Sequence, residues 1–158
     1  MLRRSEKLLL AIEAVLDVAL HGGGTPVSSR AVAERQNTAR RYLEPAFQGL
    51  VKAGILAGVR GSDGGYVLAR ERRRITLADI AGAVGAGRLD EGIEPASSPL
   101  GQKVVTPLAA ELADGWENLL RGVTLEDLYQ RARATQKPAA KARGGDDSQP
   151  PGNADFVI

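Results

Sequence analysis

Residues 40–70 read RRYLEPAFQGLVKAGILAGVRGSDGGYVLAR, and two periodicities meet in them. In the first part Leu43, Phe47 and Leu50 recur at the spacing of one helix face, with Arg41, Glu44, Gln48 and Lys52 on the opposite side. Gly54 closes that helix as a C-cap would. In the second part, Ile55 to Arg60 and Tyr66 to Arg70 are short β-compatible runs around Gly61-Ser62-Asp63-Gly64-Gly65, a turn sequence. A helix followed at once by a hairpin predicts a helical unit carrying a β wing.

Working outward, residues 2–21 form an amphipathic pattern in which Leu9, Ile12, Leu16 and Ala19 share a face. Gly22-Gly23-Gly24 stops it, since each glycine costs about 1 kcal/mol relative to alanine in a helix. Ser28 or Ser29 is the expected N-cap of a short second helix through Gln36, with Val32 inward. Asn37 breaks that helix, and Thr38 is the expected cap of the third, over residues 39–53. Three helices and then a hairpin is the order of a winged helix-turn-helix. The fold class is therefore mainly α with a small β-hairpin wing.

Downstream, Thr76-Leu77-Ala78-Asp79 resembles a capping box for a fourth helix to Val84. Residues 85–98 have no pattern and read as a loop. From Pro99 to Arg121 a longer helical pattern places Leu100, Val104, Leu108, Leu112, Trp116 and Leu119 three or four apart. Pro107 either kinks this helix or, with Thr106, starts a new one. Thr124-Leu125-Glu126-Asp127 caps a last helix to Ala134, and residues after Gln136 read as a disordered tail. The organisation expected is a winged helix-turn-helix over 1–84, a loop over 85–98, a long dimerisation helix and final short helix over 99–135, and a disordered tail over 136–158.

The chain has 158 residues, enough for one domain with an appendage, and it contains no cysteine and a single histidine, His21. That composition removes disulfides, zinc fingers, thiolate-held clusters and Cys/His catalysis. With one histidine and carboxylates spread over helix faces no Ser/His/Asp site is evident, so an enzyme is not expected. His21 reads as a helix C-terminal residue facing the helix dipole. No apolar run approaches the ~20 residues needed to cross a bilayer. The basic start is interrupted by Glu6 and Glu13 without a cleavage site, so the expected location is cytoplasmic, with no membrane partner. Charge is uneven: residues 1–80 carry 13 Lys and Arg against 8 acids, and residues 81–158 carry 8 against 11. An anionic partner is expected for the front half.

Double-stranded DNA fits that partner. Arg40 and Arg41 stand one turn ahead of Glu44 and Gln48, and these side chains match guanine, cytosine and adenine edges. Tyr42 reads equally as a phosphate-contacting hydroxyl or as packing, and Pro45 removes the helix bond to the Arg41 carbonyl. Arg60 at the base of the hairpin can enter a minor groove, while Gly61, Gly64 and Gly65 would let the backbone approach phosphates. Arg72, within the run Arg70 to Arg74, would neutralise phosphate, and Ser28 and Ser29 could touch one beside their capping role. Val104, Leu108, Leu112, Trp116 and Leu119 would pair two copies, and a two-fold homodimer suits a palindromic operator. The alternative, a winged-helix adaptor for a protein partner, calls for a neutral recognition face, against Arg40, Arg41 and Arg60.

Several segments together resemble one family. They are Tyr42-Leu43-Glu44, Lys52-Ala53-Gly54-Ile55-Leu56, Val59-Arg60-Gly61 with Gly64-Gly65-Tyr66-Val67-Leu68-Ala69-Arg70, Ile75-Thr76-Leu77-Ala78-Asp79-Ile80, and Val123-Thr124-Leu125-Glu126-Asp127-Leu128. This set is similar to the Rrf-two family of bacterial transcription regulators over residues 1–134. The resemblance implies a homodimeric winged-helix repressor or activator with Arg41 and Glu44 on the groove-facing side. Many members hold an iron–sulfur cluster through three cysteines in the loop before the dimerisation helix. Here that loop, Ala86 to Gln102, holds none, so no cofactor is expected. The residues do not name the effector, small molecule or protein, to which the regulator responds.

Overall fold

The computed structural model describes residues 2–92 and 94–136, and the expected tail from 137 onward lies outside the described residues. Three helices open the chain: α1 over Arg4–Gly22, α2 over Ser29–Arg35 and α3 over Arg40–Lys52. Strands β1 (Leu56–Val59) and β2 (Gly65–Leu68) pair antiparallel with Leu56 opposite Leu68 and Val59 opposite Gly65. A short 3-10 turn over Arg72–Arg74 leads to α4 (Leu77–Ala83), then come α5 (Thr106–Arg121) and α6 (Leu125–Gln136). This is the winged helix-turn-helix expected from the hairpin-after-helix pattern.

The core lies where α1, α3 and the hairpin converge. Leu43, Phe47 and Leu50 of α3 are fully buried against Val15 and Val18 of α1, with Val32, Ile55, Ile75 and Ile80 closing the sides. Phe47 stacks on Tyr66 with ring centroids 4.2 Å apart and 7° between planes, which ties the third helix to the wing. Val27 adds a third rung to the sheet: its N–H donates to the Tyr66 carbonyl at 2.9 Å, and the Tyr66 N–H donates back at 2.8 Å. Helix ends follow local chemistry. Gly23 and Gly54 terminate α1 and α3 at positive φ, and the Ser28 hydroxyl accepts from the Ala31 N–H at 3.1 Å.

Three details differ from the sequence expectation. The cap of α3 is Ala39 rather than Thr38, because Asn37 sits at φ 49° and the turn closes with the Thr38 N–H on the Ala33 carbonyl at 3.0 Å. Pro107 takes the second of its two expected roles, opening a new helical element, but with Val105 rather than Thr106 at the N-cap position. A π-helical stretch over Gly101–Val105 precedes α5, the Thr106 N–H reaches back to the Gly101 carbonyl, and Pro107 falls in the first turn of α5, where a missing N–H is harmless. The last helix returns to the first unit: Leu125 is fully buried in the main core, the Leu125 N–H donates to the Ile75 carbonyl at 2.8 Å, and Thr124 bridges Thr76.

One buried charge escaped the sequence reading. Asp17, on the inner face of α1, is 8 % exposed and accepts both arms of Arg35, at 2.6 and 2.8 Å. This bidentate pair clamps α2 onto α1 and raises the Arg35 pKa, chiefly through the hydrogen bond to Asp17. Asp17→Ala strands a half-buried guanidinium and is expected to cost about 3 kcal/mol, at the low end for breaking a buried pair because Arg35 keeps some solvent. Chemical denaturation of the variant should show a lower midpoint with an unchanged slope. A midpoint equal to that of the parent would remove the clamp from the account of stability.

Candidate nucleic-acid interface

A broad cleft of about 790 Å³ runs between the start of α2, the outer edge of α3 and the hairpin. Ser28 and Ser29 enter it because the Val27 bridge pins the start of α2 to the wing. Arg40 lines it from the first turn of α3, and Arg60, Gly61, Gly64 and Gly65 line it from the hairpin. Arg60 forms no hydrogen bond or ion pair among the described residues and is exposed, so its charge is available to a ligand. Arg40 lies 3.3 Å from Glu44 one turn on, a pair in which the acid checks the arginine's free rotation.

The other expected residues are spread more widely. Gln48 is exposed on the outward face of α3. Arg41 and Tyr42 turn the other way from Arg40, toward the start of α1. The Arg41 guanidinium lies 4.9 Å above the Tyr42 ring and donates to its hydroxyl at 3.2 Å. Arg72 does not join the cleft. Its Nε donates to Glu126 at 2.6 Å and its guanidinium covers the Tyr129 ring at 3.8 Å, so it fastens α6 to the base of the wing. The hydrogen bond from Arg72 is also the main reason the Glu126 carboxyl titrates below the ordinary range.

The wing glycines serve the chain's own backbone. A Cβ on Gly65 would collide with the Val27 carbonyl, and one on Gly64 would collide with the Val59 carbonyl and stand 2.9 Å from that of Gly61. Gly61 has φ 124°, a conformation that L side chains rarely adopt. Sequence reasoning missed Arg30, Val51, Val59 and Ser62, which also line the cleft. Val51 and Val59 are apolar side chains left 38 % and 42 % exposed; they could have been found as apolar positions outside the helix and strand core patterns.

Away from the cleft, α5 buries only Ala113 and Leu120, the latter against Leu8, Ala81 and Ala86, with Trp116 partly buried beside them. Its far side presents Leu108, Leu112 and Leu119, and Val104 of the π-helical stretch precedes them, each half exposed or more. The loop before it is organised by Arg88. That guanidinium grips Asp90 at 2.9 and 3.0 Å and reaches Asp114 at 3.3 Å and Glu117 at 3.4 Å, while Arg4 donates to the Arg88 carbonyl at 2.9 Å. The hydrogen bond from Arg88 holds the Asp90 carboxyl below its usual range, and Arg121 first and Arg88 second do so for Glu117. These residues do not fit an iron–sulfur cluster: the chain has no thiolate, and the carboxylates of the loop and of α5 already neutralise an arginine. Among the described residues no group of three or more metal-ligating side chains forms, and no helix is long and apolar enough to cross a membrane.

Residues 4–131 match a family described as Rrf2, Iron-dependent Transcriptional regulator. The HTH-type transcriptional regulator IscR of Pectobacterium atrosepticum is 34% identical over 134 residues, covering 80% of this chain and 79% of that protein. The IscR of Xenorhabdus nematophila is 42% identical over a shorter stretch of 83 residues, 52% of this chain and about half, 51%, of that relative's length. Among solved structures, T. potens IscR superposes with a TM-score of 0.68 at 33% identity, covering 88% of this chain and 94% of that one. With the three-helix unit, the hairpin wing and a match over nearly all described residues, the chain belongs to the Rrf2 family and is a winged-helix, DNA-binding transcription regulator rather than an enzyme.

Proposed function

We propose that the protein is a homodimeric repressor that reads a palindromic operator and does so without an iron–sulfur cluster. The observation that carries this reading is the cleft in which Ser28, Ser29, Arg40 and Arg60, the last unpaired among the described residues, converge from three elements. The start of α3 brings Arg40 and Glu44 to base edges in a major groove, and Arg60 extends from the hairpin into the adjoining minor groove. Ser29 and Arg30 at the start of α2 meet a phosphate between the two. The exposed face of α5 joins two copies and sets the distance between half-sites, one or two helical turns apart. Two copies on one duplex cover the promoter beneath them, which is the physical basis for assigning repression.

Fluorescence anisotropy of the full chain, with a duplex from its own upstream region and a scrambled duplex at two salt concentrations, tests the reading. Selective binding is expected for the parent without added iron, with affinity falling as salt rises. Arg60→Ala should weaken binding to the selected duplex by about 10- to 100-fold, the range of one lost specific contact. Equal, salt-insensitive binding of parent and variant would count against the interface as drawn.

A further inference from the structure

A second cleft, of about 220 Å³, lies behind the recognition helix, between the start of α1, the first turns of α3 and the end of α4. Its floor is apolar: Leu2 ahead of α1, Leu10 within it, Pro45 and Ala46 from α3, and Val84 after α4. Two cations, Lys7 and Arg41, stand at its rim beside the Tyr42 hydroxyl. Among the described residues neither cation has an acidic partner. The nearby acids are committed elsewhere, Glu6 to the Arg3 N–H at 2.7 Å and Glu44 to Arg40. Pro45 contributes twice. Its ring forms part of the floor, and its missing N–H leaves the Arg41 carbonyl without its ordinary helix donor.

An apolar cavity of about 150 Å³ accommodates a benzene ring. This cleft therefore has room for a ring with a short chain, and its open side is where the two charges sit. We propose that it is an effector site for a small amphiphilic carboxylate, the apolar body resting on Leu10, Pro45 and Val84 and the carboxylate held between Lys7 and Arg41. The regulatory consequence rests on the operator-binding reading above. Arg41 turns toward α1 in the free chain and has to swing outward from α3 to add a base contact to those of Arg40 and Glu44; the bound anion holds it back, so the ligand relieves DNA binding. None of the lining residues belongs to the exposed face of α5, so the site and the proposed dimer contact do not compete for surface.

Calorimetric titration of phenylbutyrate, and of its uncharged counterpart phenylbutanol, into the full chain without DNA tests the site on its own. Phenylbutyrate should bind once per chain and at least about tenfold more tightly than the alcohol, the increment of a hydrogen-bonded charge. Lys7→Glu should erase that difference while its circular-dichroism melt stays with the parent. Equal binding of acid and alcohol, indifference of the acid to Lys7→Glu, or no saturable heat would each overturn the site. Anisotropy on the upstream duplex then reads the consequence separately. Saturating phenylbutyrate should weaken binding by about tenfold or more for the parent, as expected for one lost base contact, and leave Lys7→Glu unaffected. Normal phenylbutyrate binding with an unmoved operator affinity would overturn the regulatory role alone; normal phenylbutyrate binding with no operator recognition would leave the site standing and remove the DNA reading.

Discussion

Leu108→Glu combined with Leu112→Glu is expected to convert the protein to a monomer and to reduce operator affinity by a factor of about 10² to 10⁴, the advantage that linking two half-sites confers. Both leucines project from α5 away from their own chain, at 50 % and 60 % exposure, so charge there should leave the protomer folded. Burying either leucine against a partner would be worth about 1.5–3 kcal/mol, whereas carrying an unpaired carboxylate into the same contact is strongly unfavourable. Sedimentation velocity should show the mass halved and the far-ultraviolet spectrum retained. Trp116 would be a poor choice for the same experiment. It packs beside Leu8, Ala81 and Leu120 within the chain, and its indole N–H is buried with no partner among the described residues. A dimer that survives both substitutions would place the contact on another surface.

How this face came to be legible, and why Trp116 was grouped with it, follows from what helical spacing records. Residues 108, 112, 116 and 119 share one broad stripe of α5, but the stripe is wider than any one contact. Leu120 and Trp116 lie toward α1 and α4, while Leu108 and Leu112 lie toward solvent. Periodicity gives the direction of a stripe and not the neighbour on each flank. The same limit applies to α3. Its inner face was readable as Leu43, Phe47 and Leu50, yet Arg40 and Arg41, adjacent in sequence, point to different clefts because consecutive residues are about a quarter-turn apart. Arg72 looked like a phosphate ligand because its acid, Glu126, is 54 residues away and no local pattern connects them.

The Asp17–Arg35 clamp was hidden for a related reason. An acid within α1 gives no local sign that it faces inward, and its partner lies on a different helix. By contrast, the wing was legible in outline because hairpin turns are local: Gly61, Asp63 and Gly64 mark the reversal regardless of the rest of the fold. What the local pattern did not disclose is why two glycines stand together at its end. Close approach to a phosphate and close approach to the chain's own backbone ask for the same residue, and only the position of Val27 separates them.

Gly65→Ala is therefore expected to be more damaging than the loss of any one side chain at the interface. The added methyl would overlap the Val27 carbonyl and stand 2.7 Å from the Ser28 nitrogen, and both neighbours are backbone that no rotamer change can move aside. Relief requires residues 27 and 28 to leave the wing. That breaks the paired Val27–Tyr66 hydrogen bonds at 2.9 and 2.8 Å, frees the ring stacked on Phe47, and shifts the Ser28 cap of α2. Overpacking against a fixed backbone costs about 3 kcal/mol. For a domain of this size that corresponds to a fall of about 10 °C in melting temperature. Operator affinity should drop further than in Arg60→Ala, because Ser28, Ser29 and Arg60 lose their common alignment in one step. Gly58→Ala is the matched control: it lies in the same hairpin, opposite Tyr66, and an added Cβ meets nothing within 4 Å. Its melting temperature and affinity should stay close to the parent's. If Gly65→Ala behaved like Gly58→Ala, the start of α2 would not be fastened to the wing, and the cleft could not owe its shape to that third rung of the sheet.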